Sequence, residues 1–304
     1  VELGARVHIV DSMLPAYGAD LANIEPIRGK VRLNFSDIRD RHSLSYVIRD
    51  EDLIFSLAGQ VSHLDSMRDP FTDLEINCRS QLSILESCRY NNPGVKVVFA
   101  GTRQIYGVPD YLPVDERHLV HPTDVNGINK VAGEWYHIVY NNVYGVRATS
   151  LRLTNTYGPR MRVCDARQTF LGLWLRIIVE GRELAIYGDG RQVRDFNHVD
   201  DVIDALLRAA VDDQANGQVY NLGGDEPINL VHLAQLLVEV AGKGSYKLVS
   251  WPDKRKRIDI GDYYGDYRKI RSKLGWCPRV SLEEGLRRTL AFYEEHQQHY
   301  WDPE

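Results

Sequence analysis

Strand-length apolar runs alternate with helix-period segments over the first half of the chain. Residues 6–11, 30–37, 52–59, 95–102 and 148–153 read as strands, short and bounded by turn formers. Between them, 38–50, 70–90 and 130–144 read as helices, the second with Leu74, Leu82, Ile84 and Leu85 on one face. Val1 to Leu3 look like a helix end capped by Gly4, and Asn92-Pro93-Gly94 stops the long helix. Such alternation predicts an α/β fold with a parallel sheet covered on both faces. Right-handed crossovers then place ligands outside the carboxyl ends of the strands.

After Pro159 the rhythm changes. Helices are expected at 170–180, 200–211 and 229–241, a strand at 218–223, and a short hairpin around Gly188-Asp189-Gly190. A basic, tyrosine-rich segment covers 254–267. The expected division is a first unit over 1–158 and a smaller C-terminal α/β substrate unit over 159–304, with 191–224 packing back on the first.

The chain has 304 residues, 43% hydrophobic and 26% charged, enough for a large core. A net charge of -5 gives no general attraction to nucleic acid or to anionic membrane. No apolar run approaches the roughly 18 residues of a membrane span. Four scattered cysteines without a C-x-x-C pair fit a reducing compartment, and the chain is read as cytoplasmic.

Several motifs then fall in one order: Asp11 at a strand end, Asp37-Ile38, Leu57-Ala58-Gly59, Asn77, 100–107 (AGTRQIYG) and 154–159 (TNTYGP). They continue with 187–190 (YGDG), 194–196 (RDF), 220–224 (YNLGG) and 274–278 (LGWCP). Across essentially the whole chain this order resembles the extended short-chain dehydrogenase/reductases that act as nucleotide-sugar epimerases and dehydratases. The resemblance implies a Rossmann-like doubly wound sheet and an NAD site in which Asp11, Asp37, Ile38, Ala58 and Gly59 hold the adenosine half. It implies that Thr102 bonds the sugar hydroxyl and that Lys130 is the active-site lysine. Asn155 and Arg194 would grip sugar and diphosphate. Lys256 or Arg257, with Asp259, would take the diphosphate and the nucleoside ribose. A homodimer through the helices spanning 77–90 and 130–144 is a further expectation.

Two features of that chemistry do not appear in the sequence. The family's Tyr-x-x-x-Lys here reads Asn126-x-x-x-Lys130, and a carboxamide has no accessible pKa for general-base work, a loss typically of about 10²–10⁴-fold in rate. The Gly-rich turn that would hold the NAD pyrophosphate is the second: either the sequence is trimmed by about one strand–turn–helix unit, or the chain lacks that fingerprint. NAD use is therefore left open. Arg103-Gln104 replaces the Asp-Glu pair of the dehydratase branch, which argues against 4,6-dehydration. Tyr106 and Tyr157 are substitute bases to weigh, and His63 and Asp65 are acid/base groups or ligands of a divalent ion (Mn²⁺ or Mg²⁺). Three readings follow: a non-redox isomerase, such as a pyranose/furanose mutase; an NAD-dependent 4-epimerase with a substitute base; or a silent sugar-nucleotide-binding protein.

Overall fold

A computed structural model describes residues 1–252 and 259–301. Its centre is a parallel four-stranded sheet in the order β10-β5-β4-β3, with β3 at Leu53–Ser56, β4 at Lys96–Thr102, β5 at Arg147–Leu153 and β10 at Val219–Asn221. Alternation along the strands decides which helices each face meets. Ile54, Val97 and Ala148 pack with Leu44 of α1 (Arg41–Val47) and its C-cap Ile48, with Ile84, Leu85 and Cys88 of α4 (Ser80–Asn91), and with Tyr140 of α5 (Val125–Tyr144). Leu53, Phe55, Val98 and Leu151 face the other way. They meet Val202, Ala205, Leu206 and Ala209 of α7 (Val199–Val211) and Ile270 and Leu274 of α9 (Arg268–Leu274). This is the doubly wound arrangement.

Strands β1 (Val7–Asp11) and β2 (Val31–Phe35) pair in parallel with each other but not with β3. Among the described residues β1 and β3 thus belong to separate sheets. Gly4, at φ 79°, closes a turn through its N–H to Val1 O.

The expected long helix at 70–90 is one helical run of three parts: α3 (Pro70–Leu74), a single wide π turn (Glu75–Arg79) and α4. Preceding it is α2, His63–Arg68. Helix α5 starts at Val125, five residues earlier than expected, because the Asp124 side chain accepts the Gly127 N–H and caps it. Gly133 of α5 lets the helix close on the π turn, since a Cβ there would stand 2.9 Å from Asn77 O.

Beyond β6 (Asn155–Tyr157), a second core joins Leu171, Trp174, Leu175 and Ile178 of α6 (Phe170–Val179), Leu233 and Leu237 of α8 (Leu230–Ala241), and Leu286, Leu290 and Tyr293 of α10 (Leu282–Tyr300). The expected hairpin at 188–190 is a turn without a hairpin. Before it, β7 (Glu183–Tyr187) pairs in parallel with β12 (Ser245–Val249); after it, β8 (Val193–Arg194) pairs with β11 (Ile228–Asn229). Strand β12 and helix α10 were not anticipated. No helix among the described residues is long and apolar enough to cross a membrane.

Candidate active site

The carboxyl end of β4, the amino end of α5 and the start of the π-containing helix meet around one buried carboxylate. Asp73 is fully buried and receives three carboxamides: Asn77 Nδ2 at 3.0 Å, Asn126 Nδ2 at 3.1 Å and Asn129 Nδ2 at 2.7 Å. Asn77 and Asn126 also donate to Gln60 O, at 2.9 and 2.7 Å. The carboxamide in the tyrosine's place therefore satisfies an interior acid and a loop carbonyl, and is itself buried. Asp73 and Asn129 carried no signal at the sequence level.

Lys130, one helical turn on, is buried with Nζ 3.1 Å from Ala100 O. Burial, only partly opposed by Asp73, pushes its pKa down to about 8. Gly59 leaves room for it, since a Cβ there would lie 3.1 Å from Nζ. Thr102 ends β4, and its Oγ1 accepts the Gln104 N–H at 3.2 Å.

Gln104 links this turn to a second pair. Its Nε2 donates to Asp124 Oδ2 at 3.1 Å, and the same Oδ2 lies 2.9 Å from His63 Nδ1. The His63–Asp124 approach satisfies distance but not the alignment of a good N–H donation. Burial alone would raise the Asp124 pKa; His63, the Gly127 N–H and Gln104 outweigh it and hold the carboxyl below its ordinary value. His63 opens α2 after Ser62, whose hydroxyl caps that helix, and its side chain remains 37% exposed. Its Nε2 has no hydrogen bond among the described residues. The sequence hint for Asp124 was its residue type, one favoured at helix N-caps.

Several expected residues lie elsewhere. Tyr106 is fully buried, donates to Asn221 Oδ1 at 2.6 Å and is bonded by Arg152. Burial pushes its pKa up to about 12, so it is not the substitute base. Tyr157 is buried against Gly285, and its hydroxyl reaches Leu282 O. Asp65 lies 3.8 Å from Arg167, while His63 lies against Asp124. Among the described residues no three His, Cys, Asp or Glu side chains gather as metal ligands.

On the sugar-phosphate side, Asn155 donates to Asp195 O at 2.9 Å, and its Oδ1 accepts from Arg103 Nη2 at 3.2 Å. Arg194 is buried and paired with Asp259 at 3.2 Å. Burial, with Arg103 nearby, lowers its pKa to about 10. Lys256 and Arg257 lie outside the described residues.

For NAD the fit is partial. Asp11 is exposed at the end of β1, Asp37 is engaged by Arg39 with Ile38 between them, and Ala58 and Gly59 follow β3. These suit the ribose ends, but no Gly-rich turn for a pyrophosphate occurs among the described residues.

Comparison with known proteins agrees with the fold. Residues 1–289 match the family described as GDP-mannose 4,6 dehydratase. A putative UDP-glucose 4-epimerase of Methanocaldococcus jannaschii is 30% identical over 270 residues, 88% of this chain and 85% of that protein. The structure of a UDP-glucose 4-epimerase from Thermotoga maritima with UDP-glucose superposes with a TM-score of 0.87 at 30% identity, covering 97% of this chain and 93% of that one. A dTDP-glucose 4,6-dehydratase from Streptomyces venezuelae, solved with NAD bound, gives 0.88 at 26% identity over 98% and 90%. The chain thus belongs to the GDP-mannose 4,6 dehydratase family, within the extended short-chain dehydrogenase/reductases that act on nucleotide sugars.

Proposed function

We propose that the protein epimerises a hydroxyl-bearing ring carbon of a nucleotide-diphosphate sugar, using NAD, with His63 backed by Asp124 as the proton acceptor. The observation that carries this reading is the His63–Asp124 approach at 2.9 Å beside the Thr102 turn. A carboxylate at Nδ1 favours the tautomer with the proton there, leaves Nε2 to accept one, and stabilises the imidazolium that forms. Thr102 would orient the sugar hydroxyl, Arg194 and Asp259 would hold diphosphate and nucleoside, and Lys130 would bond the nicotinamide ribose. NAD, when bound, supplies the hydride acceptor.

Ring interconversion, the other isomerase reading, finds no counterpart in the relatives named above, which favours epimerisation. The exposed apolar face of α5, with Ile128, Trp135, Val139 and Val143, supports a homodimer. The test is to supply NAD with UDP-glucose, GDP-mannose and dTDP-glucose in turn and to follow the sugar by NMR. A 4-epimer formed only with NAD supports the reading. Furanose products formed without NAD would overturn it, as would bound sugars that return unchanged.

A further inference from the structure

Arg103 directly follows Thr102 and projects toward the phosphate side of the site. Nη2 donates to Asn155 Oδ1, and the guanidinium carbon lies 5.0 Å from the centre of the Tyr263 ring. Nη1 is shielded from solvent and has no hydrogen-bond partner among the described residues. The nearest carboxylates are already engaged. Asp195 accepts from the Thr154 hydroxyl and from the N–H groups of Gly224 and Gly265, and Asp259 is paired with Arg194. Arg103 is near enough to Arg194 to help lower its pKa, so two guanidiniums share this region and one buried donor is unfilled; a buried donor without an acceptor is costly. Asn155 is fixed by its bond to Asp195 O, so it holds Arg103 in place without using Nη1. Burial lowers the Arg103 pKa, opposed by Tyr263, Asp195 and Asp259.

We propose that Arg103 Nη1 receives an anionic oxygen of the substrate where sugar meets diphosphate, either a β-phosphate oxygen or a carboxylate carried by the sugar. Arg103 is then a second guanidinium for substrate charge beside Arg194, and a binding residue in the place where the dehydratase branch keeps an acid. This rests on the nucleotide-sugar reading above.

The test is calorimetric binding of UDP, UDP-glucose and UDP-glucuronate to the wild-type protein and to Arg103→Gln and Arg103→Met, with melting temperatures of the unliganded proteins. Removing one charge-assisted bond should weaken binding by about 10- to 100-fold. The unliganded variants should melt no lower than wild type, because an unfilled buried charge has been removed. A loss shared by all three ligands assigns the oxyanion to the diphosphate; a loss confined to UDP-glucuronate assigns it to the sugar. Unchanged affinity in both variants would overturn the proposal. So would both variants melting well below wild type or failing to fold, since Arg103 would then be structural. Should the wild-type protein bind none of the three, nor GDP-mannose or dTDP-glucose, the nucleotide-sugar reading itself falls, and this proposal with it.

Discussion

Asn126 Nδ2 and Asp73 Oδ2 lie 3.1 Å apart although 53 positions separate them in sequence, and this contact makes the residue in the tyrosine's place part of a closed polar cluster. An Asn126→Asp change would set a second carboxylate against Asp73 in the interior. We expect it to cost about 3 kcal/mol of stability at pH 7. The loss should shrink as the pH falls toward about 4, because protonating the introduced acid removes the repulsion. Urea melts at the two pH values check both magnitude and direction.

Replacing His63 by Gln should lower turnover by about 10²–10⁴-fold while leaving sugar-nucleotide affinity within a few fold. Asp124→Asn should do less to the chemistry but also weaken the start of α5, where its carboxylate caps the helix at 2.7 Å. Turnover unchanged in His63→Gln would remove the histidine from the reaction.

Lys130 gives a stability signal at alkaline pH. Its folded pKa, about 8, lies below the ordinary 10.5, so the fold disfavours the charged form. The penalty is fully present below pH 8 and is relieved as the pH rises toward 10.5, so this group makes the protein more stable across that window. For a shift of this size the span is about 3 kcal/mol. Denaturant midpoints between pH 7.5 and 10 should rise in the wild type relative to Lys130→Met, which lacks the titrating amine.

How much of this was legible in the sequence depended on range. The run at 95–102 read as a strand because its apolar content and turn boundaries are local, whereas Thr102 and Lys130 were expected only from the family resemblance. The α5 start was missed because Asn126-Gly127 reads as turn chemistry; the Asp124 cap overrides it. The Asp73 cluster and the His63–Asp124 approach join distant segments, and no periodicity announces such pairs. Tyr106 was misjudged for the same reason: its partners Asn221 and Arg152 come from β10 and β5.

A dimer across α5 predicts that Trp135→Glu yields a protein of half the wild-type mass in light scattering. Trp135 is 55% exposed in the single chain, so the change should leave the monomer's fold intact. A wild-type protein that is monomeric at micromolar concentration would refute the arrangement.

The close approach at Gly133 ties two parts of the interior together. A Cβ there would stand 2.9 Å from Asn77 O, so any side chain at this position would push α5 off the π turn. Asn126 and Asn129 of α5 reach Asp73 across that same contact, and the displacement would draw both carboxamides away from the buried acid. The absence of one methyl group thus decides whether an interior charge keeps its donors.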